Sequence, residues 1–80
     1  MGHNTKALVV GNVYSINRLA NTMWGDWGLN SKEFKGNYEW LKNVNKMIKD
    51  GGFLEIPNAG LLLSKTADSQ FKVIAINGGK

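Results

Sequence analysis

The sequence predicts a small α+β domain: an N-terminal β-hairpin, two to three helices, then a three-stranded antiparallel meander. Three observations predict it. Residues 37–52 carry an amphipathic helical pattern that ends on a glycine pair. Beyond Gly52 the pattern changes to three short extended runs separated by turn residues. Before residue 16, β-branched residues flank Gly11-Asn12. The chain of 80 residues allows one domain, 1–80, with short disordered ends. A domain of this size buries only about 60% of its unfolded surface, so its stability is marginal. Three Trp, three Phe and two Tyr supply large apolar areas for a short chain. A homodimer would be a second source of stability.

In chain order, residues 6–15 place Leu8, Val9 and Val10 before Gly11-Asn12, and Val13, Tyr14 and Ser15 after it. Gly fits the first central position of a type II′ turn, which predicts a hairpin. The rival is a single helix over 7–24, which Gly11 and the β-branched residues oppose. Ile16, Leu19, Ala20, Met23 and Trp24 then follow the i, i+3, i+4, i+7, i+8 spacing of a helix, with Ser15 as N-cap. Gly25-Asp26-Trp27-Gly28 stops it in a tight turn. Asn30 or Ser31 caps one short helical turn through Glu33 and Phe34, and Gly36 separates that turn from the main helix.

The main helix is expected to begin at Asn37 as N-cap and to end at Gly51 in a left-handed conformation. Trp40, Leu41, Val44, Met47 and Ile48 share one face, and Lys42, Lys46 and Lys49 share the other. The extended runs follow at 53–56, 61–65 and 71–76. Pro57-Asn58-Ala59-Gly60 forms the first connection and Thr66 to Gln70 the second. Trp24 and Trp40 are assigned to the core, and Trp27, between glycines, is the Trp expected to be partly exposed.

Composition narrows the chemistry. The chain has no Cys, which removes disulfides, thiolate nucleophiles and zinc knuckles. No Asn-X-Ser/Thr acceptor occurs among ten Asn. The apolar run 7–10 is too short for a signal peptide, and nothing approaches the roughly 20 apolar residues of a membrane span. The expected location is cytoplasmic, with no membrane partner. His3 stands alone near the start of the chain, so Ser–His–Asp and Cys–His arrangements fail. No metalloprotease, phosphate-loop, dinucleotide or calcium-loop motif is present. The six acids are scattered and read as solvated surface groups. No enzyme, no metal and no cofactor are expected.

The net charge of +4 favours an anionic partner. The Lys and Asn bias also fits an AT-rich coding genome, such as that of a phage or mobile element. The order of two helices followed by a turn-linked strand pair is that of a winged helix-turn-helix domain, whose second helix enters the major groove of double-stranded DNA. By that analogy of architecture, Lys42, Lys46 and Lys49 would meet phosphates, with Lys35 and Arg18 on the flanks. Asn43 and Asn45 would read adenine edges. The strand pair would be the wing, although its tip, 57–60, carries no Lys or Arg. The expected function is a small DNA-binding regulator of transcription. The alternative is a small interaction or inhibitor protein that binds a host protein through Trp27, Asp26 and the sheet edge at 71–76.

Overall fold

The computed structural model describes residues 5–76, apart from the side chain of Asn58. The expected loose ends at 1–4 and 77–80, and His3 with them, lie outside the described residues. The order is β1 (Val13–Ser15), α1 (Ile16–Trp24), a 3-10 turn at Gly25–Trp27, α2 (Lys32–Met47), β2 (Phe53–Ile56), a 3-10 turn at Pro57–Ala59, β3 (Leu61–Ala67) and β4 (Gln70–Ile76). The strands form one antiparallel sheet in the order β1-β4-β3-β2. Both helices pack on the same face of it. The result is a two-layer α+β domain with its core between the layers.

The core is built by period. On α1, Ile16, Leu19, Ala20, Met23 and Trp24 are all buried, as the helical spacing predicts. The strands supply alternate residues: Leu54 and Ile56, Leu61 and Leu63, Phe71 and Val73. Ser15 caps α1, its hydroxyl accepting from the Arg18 N–H at 3.1 Å. That hydrogen bond satisfies one of the donors that every helix N-terminus leaves open.

Four expectations are corrected. The N-terminal hairpin does not form, and neither does the rival long helix. Val13, Tyr14 and Ser15 pair with Lys72, Phe71 and Gln70 of β4 instead, so the sheet has four strands rather than a three-stranded meander. The pairing continues upstream through the Gly11 N–H to the Val73 carbonyl at 2.8 Å and the Val73 N–H to the Asn12 carbonyl at 2.9 Å. A partner strand on a preformed sheet offers longer pairing than an isolated two-residue turn, which is marginal in water.

The second correction concerns the helices. Gly36 does not divide them: α2 runs unbroken from Lys32 to Met47, and Asn37 lies inside it. Ser31 is the N-cap, its hydroxyl accepting from the Phe34 N–H at 3.1 Å. A glycine within a helix costs only about 1 kcal/mol, less than the cost of starting a second nucleus.

The third concerns which face of α2 is buried. Phe34, Leu41 and Asn45 are buried, whereas Trp40 is 43% and Met47 80% exposed. The buried face is turned roughly 80° from the predicted one at about 100° per residue. Extending the helix backward brings in Phe34 and Tyr38, and α2 settles on the face that they share with Leu41 and Asn45.

The C-terminus of α2 also lies earlier than predicted. Ile48 is already extended, and Gly51 takes its left-handed φ of 88° in the following turn. The Lys65 ammonium, on β3, donates to the carbonyls of Asn45 and Ile48. A cation on the last carbonyls satisfies open acceptors and complements the helix dipole. Gly52 allows close approach in the connection. A Cβ there would lie 2.8 Å from the Ile48 side chain and 3.0 Å from the Lys49 carbonyl.

Candidate nucleic-acid interface

α2 is the element that positions a charged surface. Its inner face is fixed by Phe34, Leu41 and Asn45, and Tyr38 donates its hydroxyl hydrogen to the Asn17 side chain on α1. The other sides of the helix are therefore held toward solvent. Lys35, Lys42 and Lys46 recur on one flank, about 100° around the helix from that inner face, at i, i+7 and i+11. They fall within an arc of about 40° and span about 17 Å of the helix axis. Lys35 and Lys46 are exposed and Lys42 is half-buried.

Lys42 is the most constrained of the three. It pairs with Glu39 at 3.3 Å, and its ammonium lies 5.4 Å from the centre of the Tyr38 ring. The pair is on the surface, so its contribution to stability is small. Its effect is to hold Lys42 along the stripe and to place one acid within it. Arg18 is exposed on α1. Lys49 is exposed but lies beyond the end of α2, so it leaves the stripe.

The two candidate base readers separate. Asn43 is exposed on α2 beside the basic stripe. Asn45 is buried and committed elsewhere. Its amide donates to Asp68 at 3.1 Å, and its carbonyl oxygen accepts from the Ser69 N–H at 2.9 Å. Both groups sit in the turn between β3 and β4, where Ser69 has a φ of 63°. The Ser69 carbonyl in turn accepts from the Ile16 N–H at 2.9 Å. Asn45 thus belongs to a run of hydrogen bonds joining α2, the β3–β4 turn and the start of α1. Its side chain is turned into the protein, out of reach of a base.

Lys32 was missed by the sequence reading. It is exposed in the first turn of α2 and extends the basic surface toward the N-terminus of the helix. The signal was Ser31: accepting it as the cap of a long helix brings Lys32 and Lys35 onto the same element as Lys42.

The features of the alternative reading are also placed. Asp26 is exposed, but Trp27 is half-buried and packs against the core. Residues 70–73 of β4 are bonded on both sides, to β1 and to β3, so that part of the strand offers no edge to a partner. In the connection expected to form a wing tip, Pro57 is exposed, but Ala59 is only 4% exposed and lies in the core. Among the described residues, no group of three or more His, Asp or Glu side chains comes together as a metal site. No helix there is long and apolar enough to cross a membrane. No protein-family model, curated protein or solved structure matches the chain.

Proposed function

We propose that the protein is a non-enzymatic binder of double-stranded DNA, with α2 as the element that meets the duplex. The single observation that carries this reading is the stripe of Lys35, Lys42 and Lys46 along one solvent-facing flank of a helix whose inward face is locked. The stripe offers three cations to phosphates along one line, and Lys32 and Arg18 add flanking charge. Asn43 is the candidate for base readout, through the bidentate amide contact to adenine that the major groove permits. The reading borrows from winged helix-turn-helix proteins only the use of the second helix. It assigns no role to the β2–β3 connection, which carries no basic side chain and packs Ala59 into the core. Regulation of transcription is the activity such a binder would serve.

The test is a titration of fluorescent random duplex at several salt concentrations. With three to four phosphate contacts, the log–log slope of affinity against salt is expected near −3 to −4. Lys35→Glu together with Lys46→Glu is expected to abolish binding while the circular dichroism spectrum is unchanged. Asn43→Ala is expected to flatten sequence preference with little change in the slope. Unchanged duplex affinity in the double variant would sink the reading.

A second reading is favoured by one observation: Trp40 and Met47, at i and i+7, stand exposed about 130° around α2 from its buried face. Large apolar groups at such spacing suit a protein partner. On that reading duplex binding is absent, and Trp40→Ala rather than Lys46→Glu removes capture of the partner.

A further inference from the structure

We infer that the open face of the sheet is the contact surface between two copies of this chain. The pairing registers set out the face. Val13 lies opposite Lys72, Lys72 opposite Ser64, and Ser64 opposite Phe53, which makes one row across all four strands. Ala75, Leu62 and Glu55 make the next row across β4, β3 and β2. Strand alternation points these side chains away from the helices, since Leu54, Leu63, Phe71 and Val73 point into the core.

The composition of this face is unusual for one left in water. An antiparallel sheet covered on one side normally alternates apolar inward and polar outward. Here Val13, Phe53, Leu62 and Ala75 are outward and apolar. Phe53 is 65% and Val13 48% exposed.

Charge identifies the occupant. The two rows hold one cation, Lys72, and one anion, Glu55, at opposite corners with β3 between them. At about 4.8 Å between strands and about 3.4 Å per residue, these corners are about 12 Å apart, too far to pair within one copy. A two-fold axis lying in the plane of the face, and crossing that diagonal at its midpoint on β3, sets Lys72 over Glu55 of the second copy. The same operation sets Glu55 over Lys72 of the second copy, the reciprocity that an isologous interface requires. Phe53 lies close to the axis and meets its own counterpart. The surface is therefore complementary to itself in both charge and apolar character.

Size is consistent with a weak association. The molecule is 17 Å in its thinnest dimension, one sheet layer and one helix layer. A second sheet stacked at about 10 Å covers on the order of 400 Å² of each copy, about 800 Å² in all, which is below the size of a stable interface and in the range of weak, transient ones. The dimer has four layers, helices outermost, so α2 stays outward on both copies. Dimerisation and the duplex binding proposed above can therefore fail independently.

The experiment is sedimentation equilibrium of the full chain from micromolar to submillimolar concentration. A monomer–dimer equilibrium is expected. Lys72→Glu and Glu55→Lys are each expected to raise the dissociation constant by about tenfold or more, because each sets like charges face to face. Both changes in one chain are expected to restore it. Phe53→Ser is expected to leave a monomer. Circular dichroism reports whether each variant is folded, and if Phe53→Ser is not, the exposed charge pair still decides. A wild-type monomer at every concentration overturns the inference. So does a dimer indifferent to the charge reversals and their combination. A monomer that cosediments with vesicles of anionic phospholipid overturns it in favour of a lipid surface.

Discussion

Asn45 sits between Lys42 and Lys46 on a lysine-bearing helix and is nevertheless 5% exposed. Its side chain joins α2 to Asp68 and Ser69, while the Lys65 ammonium takes its carbonyl. A buried amide is tolerated only when its hydrogen bonds are made, and here both ends of the group have partners. Replacing it leaves a part-buried carboxylate oxygen and a backbone N–H without a bond. Asn45→Ala is therefore expected to lower stability by about 2 to 3 kcal/mol, read as a shift of the urea midpoint at constant slope. Lys46→Ala, at the next position but exposed, is expected to change it by less than about 0.5 kcal/mol. The sequence named Asn45 as a base reader because Asn within a Lys-rich helix reads as surface. Its true partners lie more than twenty residues away, in a turn whose position over α2 depends on the whole sheet.

At the scale of elements, α2 shows how one boundary residue alters the reading of a helix. Starting at Asn37, the apolar pattern centres on Trp40, Val44 and Met47. Starting at Ser31, Phe34 and Tyr38 join, and the shared face moves toward Leu41 and Asn45. Gly36 was the residue that obscured this. It is exposed, its φ is not positive, and a Cβ there would meet nothing within 4 Å. Gly36→Ala is accordingly expected to stabilise the protein by about 0.5 to 1 kcal/mol, read as a higher midpoint in thermal unfolding. A destabilisation would mean that the helix is divided there. By contrast α1 was legible in full. Its five buried positions match a complete helical period, its cap is the residue directly before it, and no glycine interrupts it.

At the scale of the molecule, the sheet is closed at one side by β1, which joins residues 13–15 to residues 70–72. That pairing places β4 between two neighbours and removes it as an edge for a partner. Hydrogen exchange is expected to reflect this order. The Val73 amide, buried and bonded to Asn12, is expected to exchange only through global unfolding. Amides along the unpaired side of β2 are expected to exchange much faster in the monomer. Protection at β4 no greater than at β2 would argue against the four-stranded order. The same order leaves the outer face of the sheet open, with Phe53 and Val13 on it, and gives the self-association argued above a surface distinct from the basic side of α2.

The sequence by itself determined the elements whose signals are local: α1 and its Ser15 cap, the three extended runs after Gly52, and the basic character of the outer side of α2. These depend on periodicity and charge within a few residues, which one chain carries openly. Tertiary structure alone decided the rest. It made 13–15 a sheet strand, joined two predicted helices into one and turned α2 by roughly 80°. It exposed Trp40 and Met47, and it committed Asn45 and Lys65 to the interior. Each of these outcomes depends on a partner distant in the chain. A pairing edge on β4, a carbonyl at the end of α2 or an N–H in the β3–β4 turn becomes available only once the sheet and helices are packed.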